Sequence, residues 1–387
     1  MSKRVFLVVC DSFGVGETPD AKKYGDEGSN TLKAVSSSIN LKVPTLTKLG
    51  LFNIDGTGFL PKAENPIGVY GKLSELSTGK DSTSGHWEIS GLITKNIFPT
   101  FSNGFPRALI KKLEKAWGTK ILCNKPYSGT QVIIDYGAEH LKTGYPIVYT
   151  SADSVLQIAC HESIYPREKL YELCKIARTI CKGKYAVGRI IARPFIGEVG
   201  GFTRTDGRHD FSLVPPPCNM LDILQKNAKT TIGIGKIGDI FAHTYLDSDT
   251  STTGNDDGIN KLLNMQKQDF NGLCFVNLCD FDMKFGHRND IDGYAATLST
   301  FDKSVEKFIK KMADDDVLII TADHGCDPAT ESTDHSREYI PCLIYGKQIT
   351  PGNFGTIEGF NHIGATVLKL LNVTTAPPTL DSKLSIL

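Results

Sequence analysis

The sequence predicts an α/β protein: a central, mostly parallel sheet flanked by helices, with a second α/β unit inserted into it. Two observations carry this. Three short apolar runs each lead into aspartate. The residue types that bind metals cluster near the two termini, while a middle stretch with its own strand and helix pattern supplies none.

Taken in order, the first run is Val5 to Cys10, ending at Asp11. A continuous β-branched run of this length reads as a strand buried on both faces, the mark of a parallel sheet. Gly14-Val15-Gly16 follows, but position 19 is not the glycine of a dinucleotide loop, so no nucleotide is expected there. Ser77 to Glu88 then offers Ser82, Thr83 and Ser84 at a helix start, directly after Lys80-Asp81. A hydroxyl at a helix N-terminus sees backbone N–H groups and the positive end of the dipole, which favours an anionic transition state.

Residues 98–215 form the predicted insert. Phe98 to Pro106 and Pro215-Pro216-Pro217 have the breaker chemistry of linkers. Inside it, Pro146 to Thr150 and Tyr185 to Ala192 read as strands, and Glu168 to Cys181 as an amphipathic helix. Arg189, Arg193, Arg204 and Arg208 are suited to phosphate, because guanidinium binds it in a bidentate fork.

The flanking segments, 1–97 and 216–387, then make one core. Thr231 to Lys236 is a core strand. The second run, Leu273 to Leu278, precedes Cys279-Asp280-Phe281-Asp282, and the third, Val317 to Ile320, precedes Thr321-Ala322-Asp323-His324. Between them, Ile291 to Met312 has helical periodicity. Sites in open α/β sheets lie beyond the carboxyl ends of the strands. Three strands therefore deliver carboxylates to one edge, and His287 and His335 add imidazoles. Asp11, Asp282, His287, Asp323, His324 and His335 make six N/O ligands, enough for two divalent ions. Strand alternation points Asp280 and Asp282 the same way and leaves both open.

Mixed carboxylate and imidazole ligation suits Mn, Zn or Fe better than Ca. The absence of cysteine from the set disfavours a structural zinc site. Two such ions form a phosphoryl-transfer device, with a nearby hydroxyl as nucleophile.

The 387 residues suit two domains or one with a large insertion. Lys+Arg and Asp+Glu balance at 43 each, so nothing asks for nucleic acid or a membrane as partner. No apolar run approaches the ~18 residues of a membrane span. Met1-Ser2-Lys3-Arg4 leads straight into the strand that carries Asp11, so no cleaved targeting segment is expected. Ten cysteines without a Cys-x-x-Cys pair, several in apolar runs, suggest buried thiols in a reducing cytoplasm.

Several stretches resemble the phosphopentomutase family of the alkaline phosphatase superfamily of metalloenzymes. They are Phe6 to Ser12, Ser77 to Ile89, Tyr149 to Ala159, Val187 to Phe195, Asp280 to Arg288, Thr321 to Gly325 and Thr333 to His335. The resemblance implies an alkaline-phosphatase-like core and an inserted cap that closes over a sugar phosphate. It implies two Mn²⁺ ions, one on Asp11, Asp323 and His324, the other on Asp282, His287 and His335. By analogy it prefers Asp282 to Asp280. It puts the nucleophile at Ser82, where the family carries Thr; without that methyl the hydroxyl is less restricted about χ1. Thr83 is the neighbouring alternative. Sugar-phosphate contacts would fall on Ser151, Asp153, Val155, Arg189, Ile191 and Arg204 in the insert and Lys236 in the core. The implied substrates are the small-molecule pentose phosphates. The implied reaction interconverts ribose 1-phosphate and ribose 5-phosphate, and the deoxyribose pair, through a phosphoserine and a pentose 1,5-bisphosphate. A sugar bisphosphate is the expected priming activator. A two-metal phosphohydrolase, a cofactor-independent phosphoglycerate mutase and a non-catalytic metal scaffold are the alternatives.

Overall fold

The computed structural model describes residues 3–95, 98–151 and 154–387. They fall into two compact units, Met1–Asn96 with Pro215–Leu387, and Ile97–Val214. In chain order the strands are β1 (Arg4–Cys10), β2 (Val69–Ser74), β3 (Leu122–Pro126), β4 (Ile147–Thr150), β5 (Val155–His161), β6 (Arg189–Ile196), β7 (Thr203–Arg204), β8 (His209–Ser212), β9 (Thr230–Ile234), β10 (Ser248–Thr250), β11 (Gly272–Leu278), β12 (Val317–Thr321), β13 (Ile340–Tyr345) and β14 (Gly352–Glu358).

The first unit is built on an eight-stranded sheet in the order β10-β9-β11-β1-β12-β13-β2-β14. β13 alone runs antiparallel to its neighbours; every other pairing is parallel. The three strands that lead to aspartate, β11, β1 and β12, lie side by side at its centre. Each residue from Val5 to Cys10 and from Leu273 to Leu278 is at most 1% exposed. Burial on both faces is why those runs read as continuously apolar rather than alternating.

Register then does the positioning. Cys10 stands opposite Leu278, and Val9 opposite Thr321. Continued along the strands, Asp11 comes level with Cys279 and Asp323. Three distant parts of the chain thus release their ligands at one edge.

The second unit has a mixed sheet, β3-β4-β5-β6-β7, with β8 also paired to β6. Alternate residues serve its two faces. Val148, Leu156, Ile158, Ile190 and Ala192 pack with Leu109, Leu113, Leu170 and Cys174 from the helices Arg107–Trp117 and Arg167–Ile180. Ile147, Tyr149, Ala159 and Phe195 pack with Val132 and Ile133 from the helix Gln131–Thr143.

Three expected boundaries moved. The strand expected over Thr231–Lys236 spans Thr230–Ile234, and Lys236 instead precedes the short helix Ile237–Ile240. β6 begins at Arg189, not Tyr185, because Arg178 takes the carbonyls of Val187 and Cys181 at 2.8 and 2.7 Å and bends that segment into a turn. The long helix spans Ile291–Ile309 and stops short of Met312. No helix of the described residues is long and apolar enough to cross a membrane.

Candidate metal centre

Asp11, Asp323 and His324 each offer a ligand atom within 4.8 Å of the others, and all three are buried. His324 Nε2 lies 3.4 Å from both Asp11 Oδ1 and Asp323 Oδ2. Beside this triad, Asp282 faces two imidazoles. His287 Nε2 is 3.3 Å from Asp282 Oδ2, and His335 Nε2 is 3.4 Å from Asp282 Oδ1. The two Nε2 atoms are 3.1 Å apart. The rings of His324 and His335 stand with centroids 3.9 Å apart, so the two triads abut.

Asp280 and Asp282 do not share a strand face. β11 ends at Leu278, and Phe281–Phe285 forms a π-helical turn. Asp280 accepts from Asn255 N at 2.8 Å and pairs with Lys284, so it ties down a helix start instead. Strand alternation does not reach these residues, because β11 has already ended at Leu278.

The donor set fits a pair of divalent cations. Asp11 Oδ1, Asp282 Oδ1 and Asp323 Oδ2 are buried and accept no well-aligned hydrogen bond, with imidazole nitrogens 3.1–3.4 Å away; carboxylates and imidazoles converging in this way can share a cation, which offsets the cost of burying the charge. The other oxygens are engaged: Ser12 N donates to Asp323 Oδ1 at 3.1 Å, and Lys236 Nζ lies 3.0 Å from Asp11 Oδ2. The positive φ of Ser12, 72°, aims that N–H. Two of the histidines are also oriented. Nδ1 of His287 donates to Thr333 O at 2.6 Å, and Nδ1 of His324 to Gly325 O at 3.1 Å, which turns both Nε2 atoms inward.

Burial works against the Asp11 carboxylate, yet Lys236 and His324 hold it well below the usual range. Asp282 is lowered likewise by His335 and His287 against its burial. The hydrogen bond to Asp282 lifts His287 to about 11. Burial opposes charge on His324, but Asp323 and Asp11 raise it to about 10. A cation must displace a proton from each of these rings. Metal affinity should therefore rise with increasing pH, by about tenfold per unit at each site between about pH 6 and 8. Calorimetry in buffers of different ionisation enthalpy should count about one proton released per ion. Uptake of both ions with no proton release would remove His287 and His324 from the ligand set.

Ser82 opens the helix Ser82–Ile89. Asp81 caps it, accepting from Thr83 N and Ser84 N at 3.0 and 3.2 Å. Ser84 Oγ is committed to Asp81 Oδ2 at 2.7 Å, whereas Ser82 Oγ lies 3.2 Å from His324 Nε2. Gly85 lets this helix seat on the metal loop: a Cβ there would stand 2.0 Å from Asp323 O.

In the second unit, Val155 pairs with Arg189 in register, and Ile191 follows two residues on along β6. Arg189 lies 3.6 Å from Asp210, and Arg204 Nε donates to Gly129 O at 3.0 Å. Ser151 follows β4. Asp153 lies outside the described residues. Lys236, in the first unit, belongs to the triad of Asp11 by contact. Burial opposes its charge, but Asp11 and Asp282 raise its pKa above the ordinary lysine value.

Sequence reasoning missed the supports of the Ser77–Asp81 loop. Glu88 accepts from Leu76 N, Ser77 N and Phe360 N. Arg337 Nη1 donates to Glu75 Oε2 at 2.6 Å and to Gly79 O at 2.9 Å. It also missed Cys326, which can share an ion with Asp282 and His287, and two buried polar residues, His86 and Asn277. A lone asparagine inside the apolar run of β11 was the one visible signal among these.

Residues 3–375 match the metalloenzyme superfamily. The phosphopentomutase of Lachnoclostridium phytofermentans is 54% identical over 373 residues, 96% of each chain. That of Acetivibrio thermocellus is 51% identical over 376 residues, 96% of this chain and 97% of its own. Among solved structures, the PH0037 protein from Pyrococcus horikoshii has the same fold, with a TM-score of 0.52 at 16% identity over 97% of this chain and 99% of that one.

Proposed function

Because this chain belongs to the phosphopentomutase family, within the metalloenzyme superfamily, we propose that Ser82 carries the phosphoryl group in its reaction. The chain is an isomerase that interconverts ribose 1-phosphate and ribose 5-phosphate, and it uses divalent metal. Relatives named for that reaction match the insert as well as the core, which favours mutase over hydrolase, phosphoglycerate mutase or inert scaffold.

One observation carries the role of Ser82: its Oγ is the hydroxyl at the helix start that faces His324 Nε2, between Asp11 and Asp323. Bound metal supplies Lewis-acid stabilisation of charge on the transferring phosphoryl group and the serine oxygen. Asp11, Asp323 and His324 hold one ion, and Asp282, His287 and His335 the other. In the first transfer the bond from phosphorus to Ser82 Oγ breaks, and one to the free sugar hydroxyl forms as that hydroxyl loses its proton. The product is the pentose 1,5-bisphosphate. In the second, the Ser82 oxygen takes the other phosphoryl group and the sugar oxygen left behind regains a proton. Nothing is consumed. Backbone N–H groups at the helix start favour the developing charge on Oγ, and Lys236 adds a positive charge beside Asp11.

The mixed N/O donors favour Mn²⁺ over Ca²⁺. The deoxyribose phosphates are further substrates, and a sugar bisphosphate primes Ser82. Residues 98–215 serve as the cap, in which Ser151, Asp153, Val155, Arg189, Ile191 and Arg204 bind sugar phosphate, and Lys236 of the core is a further phosphate contact. All ten cysteines are free thiols, which suits a reducing cytoplasm; a disulfide found in protein taken from cells would count against it.

Metal-loaded enzyme given ribose 1-phosphate should yield ribose 5-phosphate without matching release of inorganic phosphate. Release without isomerisation would overturn the mutase reading. The retention of the bisphosphate rests on the cap's cations. Arg189→Ala and Arg204→Ala should each lower turnover roughly ten- to hundredfold, the loss of one charge-assisted contact of about 1.5–3 kcal/mol. Phosphate released per turnover should rise in both, with metal binding unchanged. Wild-type rates with no extra phosphate would mean that the cap does not hold the intermediate.

A further inference from the structure

We propose that His86 and Asn277 form a buried positioning relay that fixes the helix of Ser82 to the carboxylates of Asp11 and Asp323. The inference rests on the roles given above to those three residues.

His86 lies four residues after Ser82, one turn along the same helix, and is fully buried. Its Nδ1 is 2.8 Å from Ser82 O and 3.1 Å from Asp323 Oδ2. A carbonyl oxygen only accepts, so Nδ1 carries the hydrogen. Its Nε2 is 3.3 Å from Asn277 Nδ2, which only donates, so Nε2 accepts. The same amide nitrogen donates to Asp11 Oδ2 at 3.1 Å. Two hydrogens on one nitrogen thus serve two partners. The path runs from the backbone of Ser82 through His86 and Asn277 to Asp11, with Asp323 against the ring of His86.

Asn277 makes little sense as packing. It is the polar residue in the otherwise apolar β11, 1% exposed. Its Oδ1 is buried without a hydrogen-bond partner. A leucine there would leave no such acceptor stranded. The amide is therefore held against stability, as expected of a residue that serves a site. What it does is mechanical. With Asp11 Oδ2 held by Asn277 and Lys236, the carboxylate cannot rotate, and Oδ1 stays aimed at His324. Through His86 the same amide sets how far the start of the helix stands from those oxygens.

The test uses Asn277→Leu, His86→Leu and His86→Gln in the full chain. Mn²⁺ binding to the stripped protein is followed by calorimetry, with thermal unfolding, Ser82 phosphorylation and steady-state kinetics beside it. Asn277→Leu should unfold at the same or a higher temperature, yet bind one of its two ions at least tenfold more weakly. Its kcat should fall at nearly constant KM, the pattern of a misplaced transition state. His86→Gln keeps a donor and an acceptor and should recover part of what His86→Leu loses. A merely structural role gives the reverse, a lower unfolding temperature with intact metal affinity, and would overturn the proposal. So would wild-type affinity and kcat in both leucine variants. Asp323→Ala is the control: if it still binds both ions tightly, the metal triad itself is wrong and not only the relay. Should His86→Leu fail to fold, Asn277→Leu decides alone.

Discussion

Ser82→Ala removes mutase turnover, by roughly 10⁴-fold or to the floor of the assay, the scale on which loss of a covalent nucleophile is felt. The fold should survive, because Asp81 and not Ser82 caps the helix. Metal content should also survive, since Ser82 is not among the six proposed ligands. Mass spectrometry of the active wild-type enzyme should place a phosphoryl group on Ser82. Ser84 is a poor rival, being bound to Asp81; a phosphoryl found on Thr83 or Ser84 would displace Ser82 from its role. Ser82→Thr should keep activity. The same oxygen would sit at the same helix start, and the added methyl only narrows χ1. Complete inactivity of that variant would show a site fitted to serine.

Removal of metal should be as severe. Three buried carboxylate oxygens, Asp11 Oδ1, Asp282 Oδ1 and Asp323 Oδ2, accept no well-aligned hydrogen bond. Lys236 is already paired with Asp11 and so is a poor stand-in for a cation at the transferring group. Stripping with a chelator should abolish turnover, and Mn²⁺ should restore it better than Ca²⁺, which prefers six to eight oxygens. The stripped protein should still fold: the sheet edge is held by apolar strands, and the imidazoles can pair with the carboxylates as cations. Full activity in protein shown to hold no metal would sink the whole ligand assignment.

How much of this was legible in the sequence follows from how each feature is encoded. Val5–Cys10, Leu273–Leu278 and Val317–Ile320 were legible as buried parallel strands because burial on both faces forces a nearly continuous apolar run, broken only by Asn277. Their terminal aspartates were legible as a group because parallel strands deliver their carboxyl ends to one edge. Ser82 was legible through the local Lys80-Asp81 start. Asp280 against Asp282 was not, since the choice turns on where β11 stops and on a helical turn that no period announces. Cys326 escaped because cysteine was set aside by type, while its thiol sits 3.9 Å from His287 Nδ1.

The sequence by itself determined the fold class and put forward candidate ligands and a candidate nucleophile, because each is written in a short run: a burial pattern, a strand end, a helix cap. Tertiary structure alone decided the pairings. Arg337 with Glu75, Ser82 with His324, and Asn277 with Asp11 join residues 262, 242 and 266 apart. Periodicity reports which face of an element is buried, but not which side chain it will meet. That depends on the register of β11, β1 and β12, fixed only when the sheet closes.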